Sequence, residues 1–190
     1  MALNLATRIT LTRLILAPAF VTAAAYHRYR VAVVLFVIAG LTDALDGMVA
    51  RALNQRTRTG AVLDVLADKF LLSSAFIVLC LVPGTVRVPV WLTILVFSRD
   101  ILIILVIFAL FVITGRRDFA PSKLGKATTL VQIVYVTWVL AANAVGLAPG
   151  PLVWLRWITG GITVASGLGY MTSITRQAAA HPGEAAAPPQ

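Results

Sequence analysis

Six long apolar runs, separated by short polar or Pro/Gly-containing breaks, make up most of this chain, and each is long enough to cross a bilayer as a helix. They cover residues 9–26, 31–51, 60–82, 89–114, 126–146 and 152–171. Residues 27–30 form a polar turn, Pro83-Gly84 is a stop signal, residues 115–125 form a basic loop, and Pro149-Gly150-Pro151 is a further turn. Pro18 is expected to kink the first run. Ahead of it, Asn4 and Thr7 predict the start of a short interfacial helix over residues 1–7. Residues 177–190, rich in Ala and Pro, predict a disordered tail, so residues 1–176 form a single domain with no internal repeat. The pattern predicts an all-α integral membrane protein with six transmembrane helices and a short N-terminal interfacial helix.

Composition agrees. Of 190 residues, 59% are hydrophobic and 12% charged, with a mean hydropathy of +0.92, more apolar sequence than a water-soluble core of this size needs. The net charge of +9 does not point to nucleic acid, because no basic run is interleaved with aromatics and most of the chain would lie in lipid. The basic residues flank spans instead. Arg8, Arg51, Arg56, Arg58, Lys69, Arg116, Arg117, Lys123, Lys126 and Arg176 fall on one side, against Arg28, Arg30, Arg87 and Arg156 on the other. That bias places both termini in the cytoplasm. Trp91, Trp138, Trp154 and Trp157 mostly lie near span ends, as interfacial anchors do, and the one cysteine, Cys80, reads as apolar filler.

Against this background the acidic residues stand out. Four of the seven in the chain are Asp43, Asp46, Asp64 and Asp68, within two otherwise apolar runs. An intramembrane carboxylate costs roughly 2.5 to 3.5 kcal/mol even on a lenient scale, so something must neutralise them. At about 100° per residue, Asp43, Asp46, Gly47 and Ala50 share one helix face, and Gly60, Asp64 and Asp68 share another. Residues 52–59 can reverse the chain and bring the two stripes together. Converging carboxylates without His or Cys suit hard cations, and two Mg2+ or Mn2+ ions are the natural reading. His27 on the outer turn and His181 in the tail cannot reach them. Arg99, deep in the fourth run, either pairs with an acidic residue or, with Lys123 and Lys126, forms an anion pocket; Arg13 is a weaker candidate for the same pocket. Its neighbour Asp100 points about 100° away and is expected to be a poor partner. Lys69 is expected to snorkel to the interface.

The pattern D-x2-D-G-x2-A-R-x8-G-x3-D-x3-D is matched at every fixed position by Asp43, Asp46, Gly47, Ala50, Arg51, Gly60, Asp64 and Asp68. It resembles the signature of the CDP-alcohol phosphatidyltransferases, membrane enzymes of phospholipid synthesis. The N-terminal N-L-A-T-R-I-T-L-T-R-L, S-R-D-I at 98–101 and P-S-K-L-G-K-A-T-T-L-V-Q at 121–132 look like the branch that makes phosphatidylglycerolphosphate and cardiolipin. Together these stretches span roughly the first 140 residues.

The resemblance implies CDP-diacylglycerol as donor, two cations held by Asp43, Asp46, Asp64 and Asp68, and Asp68 as the base that takes the acceptor's proton. It implies a nucleotide pocket lined by Asp43, Gly47, Ala50 and Gly60, with Arg51 holding the nucleotide or pairing with an aspartate. Residues Arg99, Lys123 and Lys126 favour glycerol-3-phosphate as acceptor, with phosphatidylglycerol, giving cardiolipin, as the alternative. Family members pair as homodimers, and their uncleaved first helix argues against reading Arg8, Arg13 and the run ending Ala23-Ala24-Ala25 as a secretory signal. A divalent-cation transporter is the competing class, but it predicts carboxylates spread through the membrane depth rather than clustered at one edge.

Overall fold

The structure is a computed structural model that describes the backbone of residues 5–52, 58–114, 123–147 and 150–180, and the side chains of residues 15–42, 69–106, 124–147 and 150–172. It is all-helical: six helices and, among the described residues, no strand. They are α1 Leu5–Ala25, α2 Tyr29–Ala52, α3 Arg58–Leu81, α4 Val90–Thr114, α5 Lys123–Val145 and α6 Gly150–Ala180. Each covers one of the six apolar runs to within one residue. Two boundaries differ from expectation. Helix α1 runs without interruption from Leu5 through the first run, so the interfacial segment is no separate element among the described residues; nothing between residues 5 and 17 breaks a helix. Helix α6 outlasts its apolar run by nine residues, to Ala180, because 172–180 holds no Gly or Pro and ends in the good helix formers Arg176, Gln177, Ala178, Ala179 and Ala180.

The chain divides into two compact units, residues 1–89 with 133–152 and residues 90–132 with 153–190. In the first, α1 packs against both α2 and α3. Ala17, Phe20 and Ala24 on α1 and Ala32, Phe36 and Ala39 on α2 are all buried at i, i+3/i+4, i+7 spacing; the alanines allow close approach, and the Phe20 and Phe36 rings meet at 5.5 Å. On α3, Leu72, Ala75, Phe76 and Leu79 form the buried stripe, with Phe76 6.2 Å from Tyr135 of α5.

One end of this unit is clamped by polar groups. Asn143 of α5 accepts from the Val86 amide at 2.9 Å and donates to the Val86 carbonyl at 2.8 Å, pairing with an otherwise irregular segment as a strand would. Tyr29 donates to the Pro83 carbonyl at 2.9 Å, and burial raises its phenol above the ordinary 10.0, against a smaller lowering by Arg87, so it stays a donor. A Cβ on Gly84 would lie 2.6 Å from Asn143 Oδ1, which is why the clamp closes over glycine.

Helix hydroxyls are disposed of locally. Thr22, Ser98, Thr128, Thr137, Thr159 and Thr163 each donate to the carbonyl four residues back at 2.7–2.8 Å, so an apolar helix carries them without exposing a donor. Outward faces are apolar: Ile15, Val34, Ile38, Phe70, Ile94, Ile101, Leu130 and Trp154 are all exposed. Among the described residues one stretch, Leu124–Val145, is long and apolar enough to cross a membrane, with shorter apolar helical pieces at Ile15–Ala25, Tyr29–Thr42 and Lys69–Leu81.

Candidate active site

Helix α2 carries Asp43, Asp46, Gly47, Ala50 and Arg51 in its last turns, and α3 carries Gly60, Asp64 and Asp68 in its first. Both helices are continuous through these positions, so the spacing that sets each pair of carboxylates on one stripe acts on helical backbone. The residues between the helices, 53–57, and the side chains of 43–68 lie outside the described residues, and with them the expected convergence of the four aspartates. What the structure does give is the support: α1 packs on both helices that carry the motif. The donor set offers carboxylate oxygens alone. His27 is exposed beyond the other end of α2, whose fourteen residue steps from Tyr29 to Asp43 span about 21 Å of helix. That chemistry fits a hard divalent cation.

Arg99 belongs to the second unit. It sits in α4 with only 6% of its side chain exposed. Its Nη1 donates to Asp100 Oδ1 at 2.7 Å, its Nη2 donates to Ser166 Oγ of α6 at 3.0 Å, and its Nε is buried without a partner. The ion pair with Asp100 corrects the expectation that neighbours 100° apart are poor partners. Cα–Cβ directions do differ by that angle, but a four-bond arginine stem curls around the helix far enough to bring its head onto the adjacent carboxylate. Lys126 is exposed on α5, whereas the side chains of Lys123 and Arg13 lie outside the described residues.

Sequence reasoning missed what surrounds Arg99. Ser166, Thr163 and Thr159 lie along one buried face of α6, and Gln132 of α5 donates to Thr163 Oγ1 at 3.3 Å while its Oε1 has no partner. Thr128 reaches the Ile162 carbonyl at 3.3 Å from the same helix. The signal was present: Gln132 and Ser166 are polar residues in the middle of apolar runs, and such residues face other helices.

A sequence model of the CDP-alcohol phosphatidyltransferase family matches residues 3–166, and this chain belongs to that family. Among curated relatives, it is 34% identical to the CDP-diacylglycerol–glycerol-3-phosphate 3-phosphatidyltransferase of Bacillus subtilis, across 89% of this chain and 94% of that protein. It is 31% identical to the human cardiolipin synthase (CMP-forming), across 85% of this chain and 58% of that protein. A probable phosphatidylglycerophosphate synthase of Mycobacterium tuberculosis is 35% identical over 70% of this chain and 64% of its own length. The chain thus spans a little over half of the human and rat cardiolipin synthases that it matches.

Proposed function

We propose that this protein is a membrane enzyme that transfers the phosphatidyl group of CDP-diacylglycerol to a hydroxyl of glycerol-3-phosphate and releases CMP. The carrying observation is the complete eight-position motif, set on two continuous helices of a chain that belongs to this family. The match over nearly the whole length of the Bacillus subtilis glycerol-3-phosphate enzyme supports the acceptor. Exposed apolar faces on every helix with described side chains support a lipid setting, and the ten-to-four bias of basic residues supports a cytoplasmic site in the inner membrane. Family membership favours a transferase over a cation pathway.

In this reading Asp43, Asp46, Asp64 and Asp68 hold two Mg2+ or Mn2+ ions. When bound, these supply charge neutralisation of the donor's pyrophosphate. Gly47, Ala50 and Gly60 leave room for cytidine, with Arg51 beside them. Arg99, Lys123 and Lys126 take the acceptor's phosphate. The acceptor oxygen attacks the phosphorus attached to diacylglycerol, Asp68 receives its proton, and the bond to CMP breaks with the electron pair leaving on CMP. The homodimer implied by the family resemblance is part of the same proposal.

Purified protein given CDP-diacylglycerol, Mg2+ and glycerol-3-phosphate is expected to release CMP, and Asp68→Asn to lower that release by about 10²-fold or more at unchanged melting temperature. Undiminished turnover in Asp68→Asn removes the base, and CMP release with neither acceptor removes the function. The human and rat cardiolipin synthases among the relatives favour one second reading, in which phosphatidylglycerol is the acceptor and cardiolipin the product. The same assay with phosphatidylglycerol decides between them.

A further inference from the structure

Arg99 is held in an unusual way for a structural arginine. A guanidinium has five N–H donors, and burial this deep normally leaves none idle. Here Asp100 takes one arm and Ser166 another, while Nε stays buried and unpaired. The two partners come from different helices. Asp100 is on α4 itself and moves with it, whereas Ser166 is on α6 and fixes the head relative to a second element. Helix α6 runs close beside the arginine stem, since a Cβ on Gly167 would lie 4.0 Å from Arg99 Cγ. Ser166 is fully buried and has its own neighbouring rung, the Gln132–Thr163 bond, one turn earlier on α6.

We propose that Ser166 is a positioning residue, which holds the Arg99 guanidinium so that its unpaired Nε–H is presented to an anionic oxygen of the acceptor's phosphate. The inference rests on the proposed reading of Arg99 as a phosphate holder. Its chemical logic is that an arginine with every donor satisfied inside the protein has nothing to offer a ligand, whereas one pinned at two corners with a third left open is preorganised for it. Ser166 touches no substrate; it acts through Arg99. Removing its hydroxyl frees the head to rotate about its last bonds and lose the alignment, with the charge unchanged.

The test uses the full-length protein in detergent or lipid nanodiscs, with CMP release measured against glycerol-3-phosphate and CDP-diacylglycerol separately. Ser166→Ala is expected to raise KM for glycerol-3-phosphate about tenfold, the size of one charge-assisted hydrogen bond. KM for CDP-diacylglycerol and kcat should each stay within about twofold, because the change is confined to acceptor binding. Ser166→Thr, which restores the hydroxyl, should return most of the loss. Gln132→Leu removes the adjacent rung without touching Arg99 and should leave both KM values within about twofold. Equal effects of Ser166→Ala and Gln132→Leu, a matching rise in KM for the donor, or a well-folded Ser166→Thr protein that keeps the defect would overturn the assignment. If wild-type protein releases CMP with neither acceptor, the functional reading falls by itself. Equilibrium dialysis with labelled inorganic phosphate then decides the positioning role: weaker binding by Ser166→Ala than by wild type upholds it, and equal binding by the two, or none by wild type, overturns it.

Discussion

Two turns show what one side chain can cost. Helix α1 ends in a Schellman cap, with His27 N–H bonding to Ala24 and Arg28 N–H to Ala23, and it puts His27 at a φ of 57°. Helix α5 ends similarly, with Gly146 at a φ of 73° and the amides of Gly146 and Leu147 both on Ala142. Glycine meets that geometry without a Cβ, whereas a histidine is strained there by about 1 kcal/mol. His27 is exposed, and its compensation is an edge contact to Tyr29 with a long 3.4 Å approach of Nδ1 to the phenol oxygen. His27→Gly is therefore expected to stabilise the protein by about 0.5–1 kcal/mol, read as a raised melting temperature in detergent; a lowered one would assign the Tyr29 contact more than its geometry warrants. Gly84→Ala should act in the opposite direction. Its Cβ would meet Asn143 Oδ1 at 2.6 Å and Tyr29 Oη at 2.8 Å, so either the Asn143–Val86 pairing or the Tyr29–Pro83 bond must open, at about 1–3 kcal/mol. At this scale the sequence was least legible. It marked Arg99 as informative but directed attention away from Asp100, because an angular argument about Cβ directions says nothing of where a long flexible head comes to rest.

At the scale of the helix, the apolar runs located all six elements, since a segment that must bury or face lipid along its whole length has little other choice. Boundaries followed less well. Hydropathy reports where apolar sequence ends, and helix propensity decides where the helix ends, which is why α6 continues through Ala180 although its apolar run stops at 171. Partnering was invisible for the same reason: the polar seam of unit two is set by which face of α6 meets α4 and α5. Gln132 tests its worth. Its single donated bond is long at 3.3 Å, and its Oε1 is buried with no partner, so the amide's desolvation is poorly repaid. Gln132→Leu, of similar volume, is expected to leave the melting temperature unchanged or raise it, by at most about 1 kcal/mol of stability. A loss of 2 kcal/mol or more would mean that Oε1 is satisfied by a bound water or ligand.

For the whole molecule the proposed cytoplasmic site makes a prediction about the two ends of the first unit. Three of the four basic residues on the minority side are brought to one end of that unit by described contacts. The turn holding Arg28 and Arg30 joins the 82–89 segment holding Arg87 through the Tyr29–Pro83 bond, and Arg30 itself reaches the Ala144 carbonyl at 3.5 Å. The motif lies toward the far end of the same helices. Helix α3, with 24 residues, is about 36 Å long, more than a hydrocarbon core of about 30 Å, so its two ends, at Arg58 and Leu81, must emerge on opposite faces if α3 crosses the membrane. In the orientation proposed above from the charge bias, the 82–89 face lies outside. Cys80 is the lone native thiol, so Cys80→Ser gives a clean background for single cysteines. Thr85→Cys is expected to react with a membrane-impermeant maleimide in intact cells, and Gln55→Cys only after permeabilisation. The reverse pattern would place the aspartates away from the nucleotide pool and the proposed donor chemistry with them. Labelling of both in intact cells would instead show that α3 does not span.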